Sequence, residues 1–88
     1  MILPPSLGDE VHLRRLRVDE AIPKLDQYLN DAFLAGLHTI RVIHGKGTGT
    51  LRQIARQDLA KHPLVESYRP ARMEEGGSGV TIAELVDR

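Results

Sequence analysis

Residues 39–49 read Thr-Ile-Arg-Val-Ile-His-Gly-Lys-Gly-Thr-Gly, a β-branched run that passes directly into a glycine-rich loop. A short apolar run of this kind favours a buried strand over a helix. After the loop, apolar residues recur at helical spacing, namely Leu51, Ile54, Ala55 and Leu59. The segment is therefore predicted to be a strand, a loop and a helix in succession. Thr48 or Thr50 is expected to cap the helix, and Pro63 to stop it after His62.

A second helix is predicted before this segment, from Val18 to the glycine at position 36. Its apolar residues form one stripe: Val18, Ala21, Ile22, Leu25, Leu29, Ala32 and Phe33. Pro23 interrupts the pattern, because a proline beyond the first turn removes a backbone hydrogen bond. We therefore expect the helix to begin later than the stripe does, or to start with a distorted turn. Gly36 is expected to cap its C-terminus.

The remaining strands complete a single small domain. Val11-His12-Leu13-Arg14 alternates apolar and polar residues, residues 65–69 form another strand, and residues 80–85 form the last after a glycine turn at 76–79. Residues 1–9 are interpreted as a linker or tail and residues 10–88 as the domain. The order β-α-β-α-β-β predicts the α/β (α+β) class. We expect a two-layer sandwich with a mixed four-stranded sheet and two helices on one face.

Composition narrows the class of protein. Twelve basic and twelve acidic side chains balance to zero, and 41% of residues are hydrophobic. The balance weakens a nucleic-acid interpretation taken alone, although the basic residues cluster locally. There is no cysteine and no apolar run long enough to span a membrane, so we expect a cytoplasmic protein without membrane contact.

The glycine loop is the first candidate site. It follows a strand and opens a helix, where free backbone N–H groups and the helix dipole favour an anion. Lys46 lies within it, and Arg52 and Arg56 lie one helical turn apart beyond it. The alternative is a tight turn with Lys46 in solvent. Neither the P-loop nor the dinucleotide-binding spacing of glycines is present, so a nucleotide-hydrolysing site is not expected.

Histidines supply the candidates for chemistry. His44 ends the strand that leads into the loop, and it either transfers a proton or simply shapes the turn. His12 and Arg14 share one face of the first strand, where they either serve a phosphodiester or face water. His38 and His62 are interpreted as surface residues. No spacing of histidines and acids predicts a metal site, because the acids of the first helix are scattered over its solvated face.

Several stretches, taken together, resemble the small MutS-related (Smr) domain, in particular the version at the C-terminus of the second bacterial MutS paralogue. They are, in order, Leu16-Arg17-Val18-Asp19-Glu20-Ala21, Leu34-Ala35-Gly36-Leu37, Ile43-His44-Gly45-Lys46-Gly47-Thr48-Gly49, His62-Pro63-Leu64-Val65 and Glu75-Gly76-Gly77-Ser78-Gly79-Val80-Thr81-Ile82. The resemblance covers roughly residues 10–85. It implies a βαβαββ sandwich similar to the C-terminal domain of initiation factor three.

The resemblance also implies a function. Members bind nucleic acid, and many are endonucleases that nick DNA or cleave RNA. The implied partner is branched or duplex DNA, with RNA or the ribosome as a further candidate, and the implied role is suppression of homologous recombination. A non-catalytic module that delivers an upstream ATPase core is the alternative. No cofactor is expected in this domain, a divalent cation is left open, and ATP and dimerisation belong to the upstream part of the parent protein.

Two family motifs carry the site residues. His-Gly-x-Gly-x-Gly falls unchanged on His44, Gly45, Gly47 and Gly49, whereas Leu-Asp-x-His/Arg-Gly falls on Val11-His12-Leu13-Arg14-Arg15. His12 thus replaces the acid and Arg15 the glycine, so we expect binding to be preserved better than cleavage. We expect catalysis by His44 with Arg14; His12, which departs from the motif, is the alternative candidate for supplying the proton transfer itself. Binding is assigned to Gly45, Lys46, Gly47, Thr48, Gly49, Arg15, Arg17, Arg52 and Arg56.

Aromatic residues are few, and none is interleaved in sequence with the basic ones. They are Tyr28, Phe33 and Tyr68. We therefore expect readout of the backbone or of nucleic-acid shape in preference to stacking on single-stranded bases.

Overall fold

The structure, a computed structural model, describes residues 9–87. Its helices and strands are β1 (Glu10–His12), α1 (Val18–Leu34), β2 (Thr39–Ile43), α2 (Thr50–Lys61), β3 (Val65–Pro70) and β4 (Val80–Leu85). Short 3-10 turns lie at Met73–Glu75 and Gly77–Gly79, so the turn before β4 includes the predicted residues 76–79 and begins earlier. The predicted βαβαββ order is confirmed. Apart from Asp9, the predicted linker lies outside the described residues.

The sheet is mixed, as predicted, with strand order β1-β2-β4-β3. β1 and β2 are parallel, whereas β4 runs antiparallel to both β2 and β3. Ile43 pairs with Val80, so the end of β2 meets the start of β4. The backbone N–H groups of His44 and Gly45 both donate to the carbonyl of Gly79, at 3.1 and 3.0 Å. The two glycine-rich loops are thereby joined at one edge of the sheet.

Both helices pack on one face of the sheet around a single apolar core. That core joins Leu25 and Leu29 of α1 and Leu59 of α2 to Ile40 and Val42 of β2. Leu25 and Leu29 are fully buried, and a leucine buried to this extent contributes roughly 2 kcal/mol. None of the helices within residues 9–87 combines the length and apolarity that a membrane crossing needs.

The start of α1 differs from the prediction, because the helix begins at Val18 and continues through Pro23. The Glu20 carboxylate accepts a hydrogen bond from the N–H of Arg17 at 3.0 Å, which fixes the first turn. Pro23 has no N–H to donate to the carbonyl of Asp19, four residues earlier. Both residues are exposed, so water can donate to that carbonyl instead. Val18 is 40% exposed and lies outside the core, although the stripe included it. Gly36 ends the helix in a left-handed conformation, as predicted.

Two further boundaries differ because the backbone turns at specific residues. β1 ends at His12, two residues earlier than predicted, since the chain turns at Arg15, which has a φ of 67°. The N-cap of α2 is Gly49, with a φ of 88°, which has no side chain to cap the helix; Oγ1 of the preceding Thr48 accepts the N–H of Thr50 at 3.4 Å. The prediction of Thr48 or Thr50 as the N-cap is therefore wrong. Thr50 is instead the first residue of the helix.

The prediction that His62 is a surface residue is also wrong. Its side chain is only 15% exposed, and its Nε2 lies 3.8 Å from Oδ1 of Asp26 on α1. Its Nδ1 accepts the backbone N–H of Leu64 at 3.1 Å. Asp26, whose side chain is 44% exposed, in turn faces Asp58 of α2, which is buried. His38 is exposed, as predicted.

Candidate functional site

The loop of residues 44–49 joins β2 to α2 and depends on glycine at two close approaches. Gly45 has a φ of 82°, and a Cβ there would lie 3.1 Å from Cγ of Arg14. Gly49 has a φ of 88°, and a Cβ there would lie 2.9 Å from a guanidinium nitrogen of Arg52. In both places an arginine side chain lies directly against the loop backbone. The glycines therefore bring cationic side chains and backbone amides to the same surface.

The amides of this loop are available to a ligand. The backbone N–H groups of residues 46–49 donate no hydrogen bond to any residue in the described part of the chain. By contrast, those of His44 and Gly45 are bound to Gly79. Unpaired N–H groups ahead of a helix form an anion-binding concavity, to which the positive end of the helix dipole adds.

A cleft of about 370 Å³ lies over the loop. Its charged side chains are Arg14, Arg15, Lys46 and Arg52, and no carboxylate of the described residues lines it. The remainder of its lining comes from His44, the loop and the first residues of α2. The net charge of zero thus hides a local concentration of positive charge. A cleft lined by charges of one sign favours a polyanion such as a phosphodiester backbone.

Two neighbouring clefts share residues with the first, so the loop lies in the middle of a longer groove. One extends past Arg14 and Lys46 to Gly76 and Gly79 of the second glycine loop. The other extends along α2, past Arg52 and Arg56 to Tyr68. The structure therefore assembles most of the predicted binding residues along one groove.

His44 closes the floor of the first cleft and is only 4% exposed. Its Nδ1 lies 2.9 Å from the carbonyl of Gly45, which can only accept, so Nδ1 carries the proton. Its Nε2 then accepts the Thr81 hydroxyl at 2.9 Å. Arg56 Nε donates to the same hydroxyl oxygen at 3.0 Å. A chain of hydrogen bonds thus runs from α2 through β4 to the loop.

This environment keeps His44 neutral. Burial lowers the pKa of His44, and the charges of Arg56 and Arg52 act in the same direction, opposed by the hydrogen bond to Gly45. The Gly45 carbonyl is held toward the histidine ring. Because the N–H of Lys46 lies on the opposite side of the same trans peptide, it points away from His44. By holding the Gly45 carbonyl, His44 therefore orients the backbone N–H of Lys46.

Two predicted site residues lie apart from the cleft. His12 is 58% exposed and lies 3.3 Å from Oε1 of Glu10, and it lines none of the three clefts. Arg17 is 82% exposed, with its Nε 3.5 Å from Asp19. The structure thus brings Arg14 and Arg15, but not His12 or Arg17, to the side of His44.

The sequence interpretation assigned no site role to Thr81 and Glu75. Thr81 is fully buried, and its one signal in the sequence is a hydroxyl inside the apolar run 80–83. Glu75 accepts two hydrogen bonds from the guanidinium of Arg69, both at 2.8 Å, and one from the N–H of Arg72. These partners, Arg69 first, lower the pKa of Glu75 to about 2. Glu75 thereby fixes the turn that delivers Gly79 to His44. The sequence feature that could have indicated Glu75 is its position three residues after Arg72, a spacing typical of a capping interaction.

Within residues 9–87, no group of three or more histidine and acidic side chains is arranged to hold a metal ion. The site as described therefore consists of backbone amides, arginines, one lysine and a neutral histidine. Such a set can bind a phosphate and stabilise negative charge that develops on it.

Comparison with known proteins shows the family of the chain. The model of the Smr domain family matches residues 11–86. The chain is 53% identical over 81 residues, or 92% of its length, to a protein of Thermomicrobium roseum named Endonuclease MutS2. It is 58% identical over 73 residues to the Endonuclease MutS2 of Halothermothrix orenii. It spans about a tenth of the length of these curated relatives, 10% and 9% respectively.

Solved structures give the same result. The crystal structure of the Smr domain of Thermus thermophilus MutS2 superposes with a TM-score of 0.85 at 49% identity, covering 89% of this chain and 98% of that one. YdaL, a stand-alone small MutS-related protein from Escherichia coli, superposes with a TM-score of 0.74 at 28% identity, covering 93% of this chain and 66% of that one.

Proposed function

This chain belongs to the Smr domain family, and on that premise we propose that it is a nuclease domain that binds a nucleic-acid phosphate over the loop of residues 44–49. One observation carries the proposal. The unpaired backbone N–H groups of residues 46–49 adjoin a cleft whose charged side chains are all basic. Phosphate, with its negative charge and several acceptor oxygens, is the ligand that such a site favours.

Cleavage requires stabilisation of the charge that accumulates on phosphorus and removal of a proton from the attacking water. We assign the first task to Arg14 and the loop amides, because Arg14 packs directly on Gly45. We assign the second to His44, which is neutral and lines the cleft. For this step Nε2 of His44 must release its hydrogen bond from the Thr81 hydroxyl and accept one from the attacking water. His12 lies outside the cleft, so we give it no part in proton transfer.

We propose branched DNA as the substrate, cleaved with low sequence specificity during suppression of recombination. The groove is lined by groups that recognise phosphate, and phosphate contacts position a protein without reading sequence. In the parent protein, an ATPase core and a dimerisation region would present this domain to the branch point. A divalent cation, if used, would be held chiefly by the phosphate.

A nicking assay on supercoiled and four-way-junction DNA tests this proposal. We expect His44→Ala to reduce nicking by at least about 100-fold, as for loss of a general base. Arg14→Ala should impair nicking as well, whereas Lys24→Ala, on the exposed face of α1, should not. Equal nicking by the wild type and His44→Ala would remove His44 from the mechanism.

A non-catalytic binding module is the second candidate, and one observation favours it. Both ring nitrogens of His44 are already hydrogen-bonded within the protein, so the ring is satisfied without a substrate. In this case the domain would deliver the ATPase core to DNA junctions or to ribosomal RNA. A binding module predicts that the wild type binds junctions without nicking them, and that Lys46→Ala weakens this binding.

A further inference from the structure

Tyr68 lies beside the basic residues of α2, although it is distant from them in sequence. It pairs with Ala83 across β3 and β4, and Ala83 is fully buried in the core beneath the helices. Residues opposite each other in a sheet point to the same face, so Tyr68 also points to the helix side. There it lines a cleft together with Arg52 and Arg56 and is 40% exposed. An aromatic ring that is separated in sequence from the basic residues of α2 therefore lies beside them in the fold.

We propose that this second cleft binds an unpaired nucleobase, stacked on Tyr68, of the strand whose phosphate lies on the glycine loop. The inference rests on the proposed function and adds to it a ligand class, a nucleotide outside a duplex. A base inside a duplex is stacked between its neighbours and has no free face for an aromatic ring. The cleft would therefore select single-stranded or branched nucleic acid.

Three features of the cleft support a nucleobase. Its volume is about 500 Å³, within the range of small-ligand sites. Gln53 and Gln57, four residues apart on α2, both line it, and each amide can donate and accept. Such amides can bond the edges of different bases, which suits low sequence specificity. No carboxylate of the described residues lines the cleft, so nothing there repels the attached phosphates.

The position of Arg52 connects this cleft to the phosphate site. Arg52 lines both clefts, and its guanidinium lies against the backbone of Gly49. A strand that follows the groove therefore passes from the loop amides over Arg52 to Tyr68. Phosphate and base of one nucleotide, or of two neighbours, would be held on the two sides of this side chain.

The test compares two labelled single strands by fluorescence anisotropy, one with bases and one abasic throughout, so that the phosphates are matched. Tyr68→Ala should weaken binding of the strand with bases about tenfold and leave the abasic strand unchanged. Tyr68→Phe should bind like the wild type, because it keeps the aromatic face. Tyr68→Leu, which keeps apolar packing on β3 without an aromatic ring, should behave like Tyr68→Ala. Equal effects on both strands, or none on the strand with bases, would overturn the proposal.

Tyrosine fluorescence gives an independent readout, because the chain has two tyrosines and no tryptophan. Stacking should quench the tyrosine fluorescence of the wild type when the strand with bases binds, and the quenching should be absent in Tyr68→Phe although binding persists.

Failure of the phosphate site gives a different result, since Lys46→Ala would then change the affinity for neither strand. If only stacking fails, Lys46→Ala still weakens binding of both.

Discussion

Nε2 of His44 lies 2.9 Å from the hydroxyl oxygen of Thr81, so a buried threonine of β4 donates to the lone pair of the loop histidine. That hydrogen bond can form only while the ring is neutral at Nε2. It therefore acts in the same direction as burial, which lowers the pKa of His44. A side chain outside both family motifs thus helps to set the protonation state of the residue at the floor of the cleft.

Thr81→Val should raise the pKa of His44, because it removes the donor that favours the neutral ring. It should also cost about 1–3 kcal/mol of stability, since it leaves Nε2 of His44 and Nε of Arg56 without their partner. Titration of the His44 ring protons by NMR measures the first effect and urea unfolding the second. Thr81→Ser keeps the hydroxyl and is the control. An unchanged His44 pKa in Thr81→Val would contradict this account.

Acid should destabilise the domain through His44. Because the folded pKa of His44 is lowered, its contribution is fully present above the unfolded pKa of about 6.5 and is lost as the pH falls through the folded value. His44→Gln removes this titration. We expect the midpoint temperature of the wild type to fall more steeply below about pH 6 than that of His44→Gln. Parallel curves for the two proteins would show that His44 is not the titrating group.

The turn that supports His44 depends on Gly76. Gly76 has a φ of 123°, and a Cβ there would lie 2.5 Å from Cγ2 of Val80, which is buried. Gly36 is the matched control, with a φ of 83° and open space around a new Cβ. Gly36→Ala should cost roughly 1 kcal/mol from backbone strain, and Gly76→Ala about 2 kcal/mol more from the clash. Denaturant unfolding measures both, and equal losses would show that the clash relaxes.

The fold could be predicted closely because its elements depend on local patterns. The β-branched run at 39–43 and the stripe of α1 each indicate one secondary structure without long-range information. The errors fall at boundaries. Pro23 is tolerated because the carbonyl it leaves unpaired belongs to the exposed Asp19, and exposure is a tertiary property. The cap of α2 was assigned to a threonine, whereas a left-handed Gly49 occupies that position.

The residues that line the cleft could be predicted where they are close in sequence, or where a family motif names them, as for Arg14 and Arg15. The loop, which contains Lys46, and the neighbouring Arg52 belong to one segment. Thr81 and Tyr68 reach it only through the register of β4 with β2 and β3, which a single sequence does not specify. His12 illustrates the converse, since its alternation with Arg14 predicted a shared role, yet only Arg14 lines the cleft.

Binding to nucleic acid should weaken steeply with salt, because cationic side chains displace counterions from phosphates. Lys46→Ala should reduce the slope of log K against log salt concentration by about one, the value for one phosphate contact. Lys24→Ala changes the same charge on α1, outside the clefts, and should leave the slope unchanged. Titrations at several salt concentrations measure both. Identical slopes for the two variants would indicate attraction by overall charge alone, without a local phosphate site.

The helix pair carries a separate pH dependence at Asp58, whose carboxyl faces that of Asp26. Burial raises the pKa of Asp58 to about 7, and the neighbouring carboxyl of Asp26 adds to the effect; within residues 9–87, Oδ2 of Asp58 and Oδ1 of Asp26 are buried without a hydrogen-bond partner. The pKa of Asp58 is higher in the folded state than in the unfolded one. The protonated carboxyl therefore contributes its full stabilisation below about pH 4, and this contribution is lost as the pH rises through 7. Asp58→Asn donates to Asp26 without titrating. It should therefore exceed the wild type in unfolding free energy at about pH 8, on the order of 2–4 kcal/mol, and match it near pH 4. A constant difference across that range would mean that Asp58 stays ionised throughout.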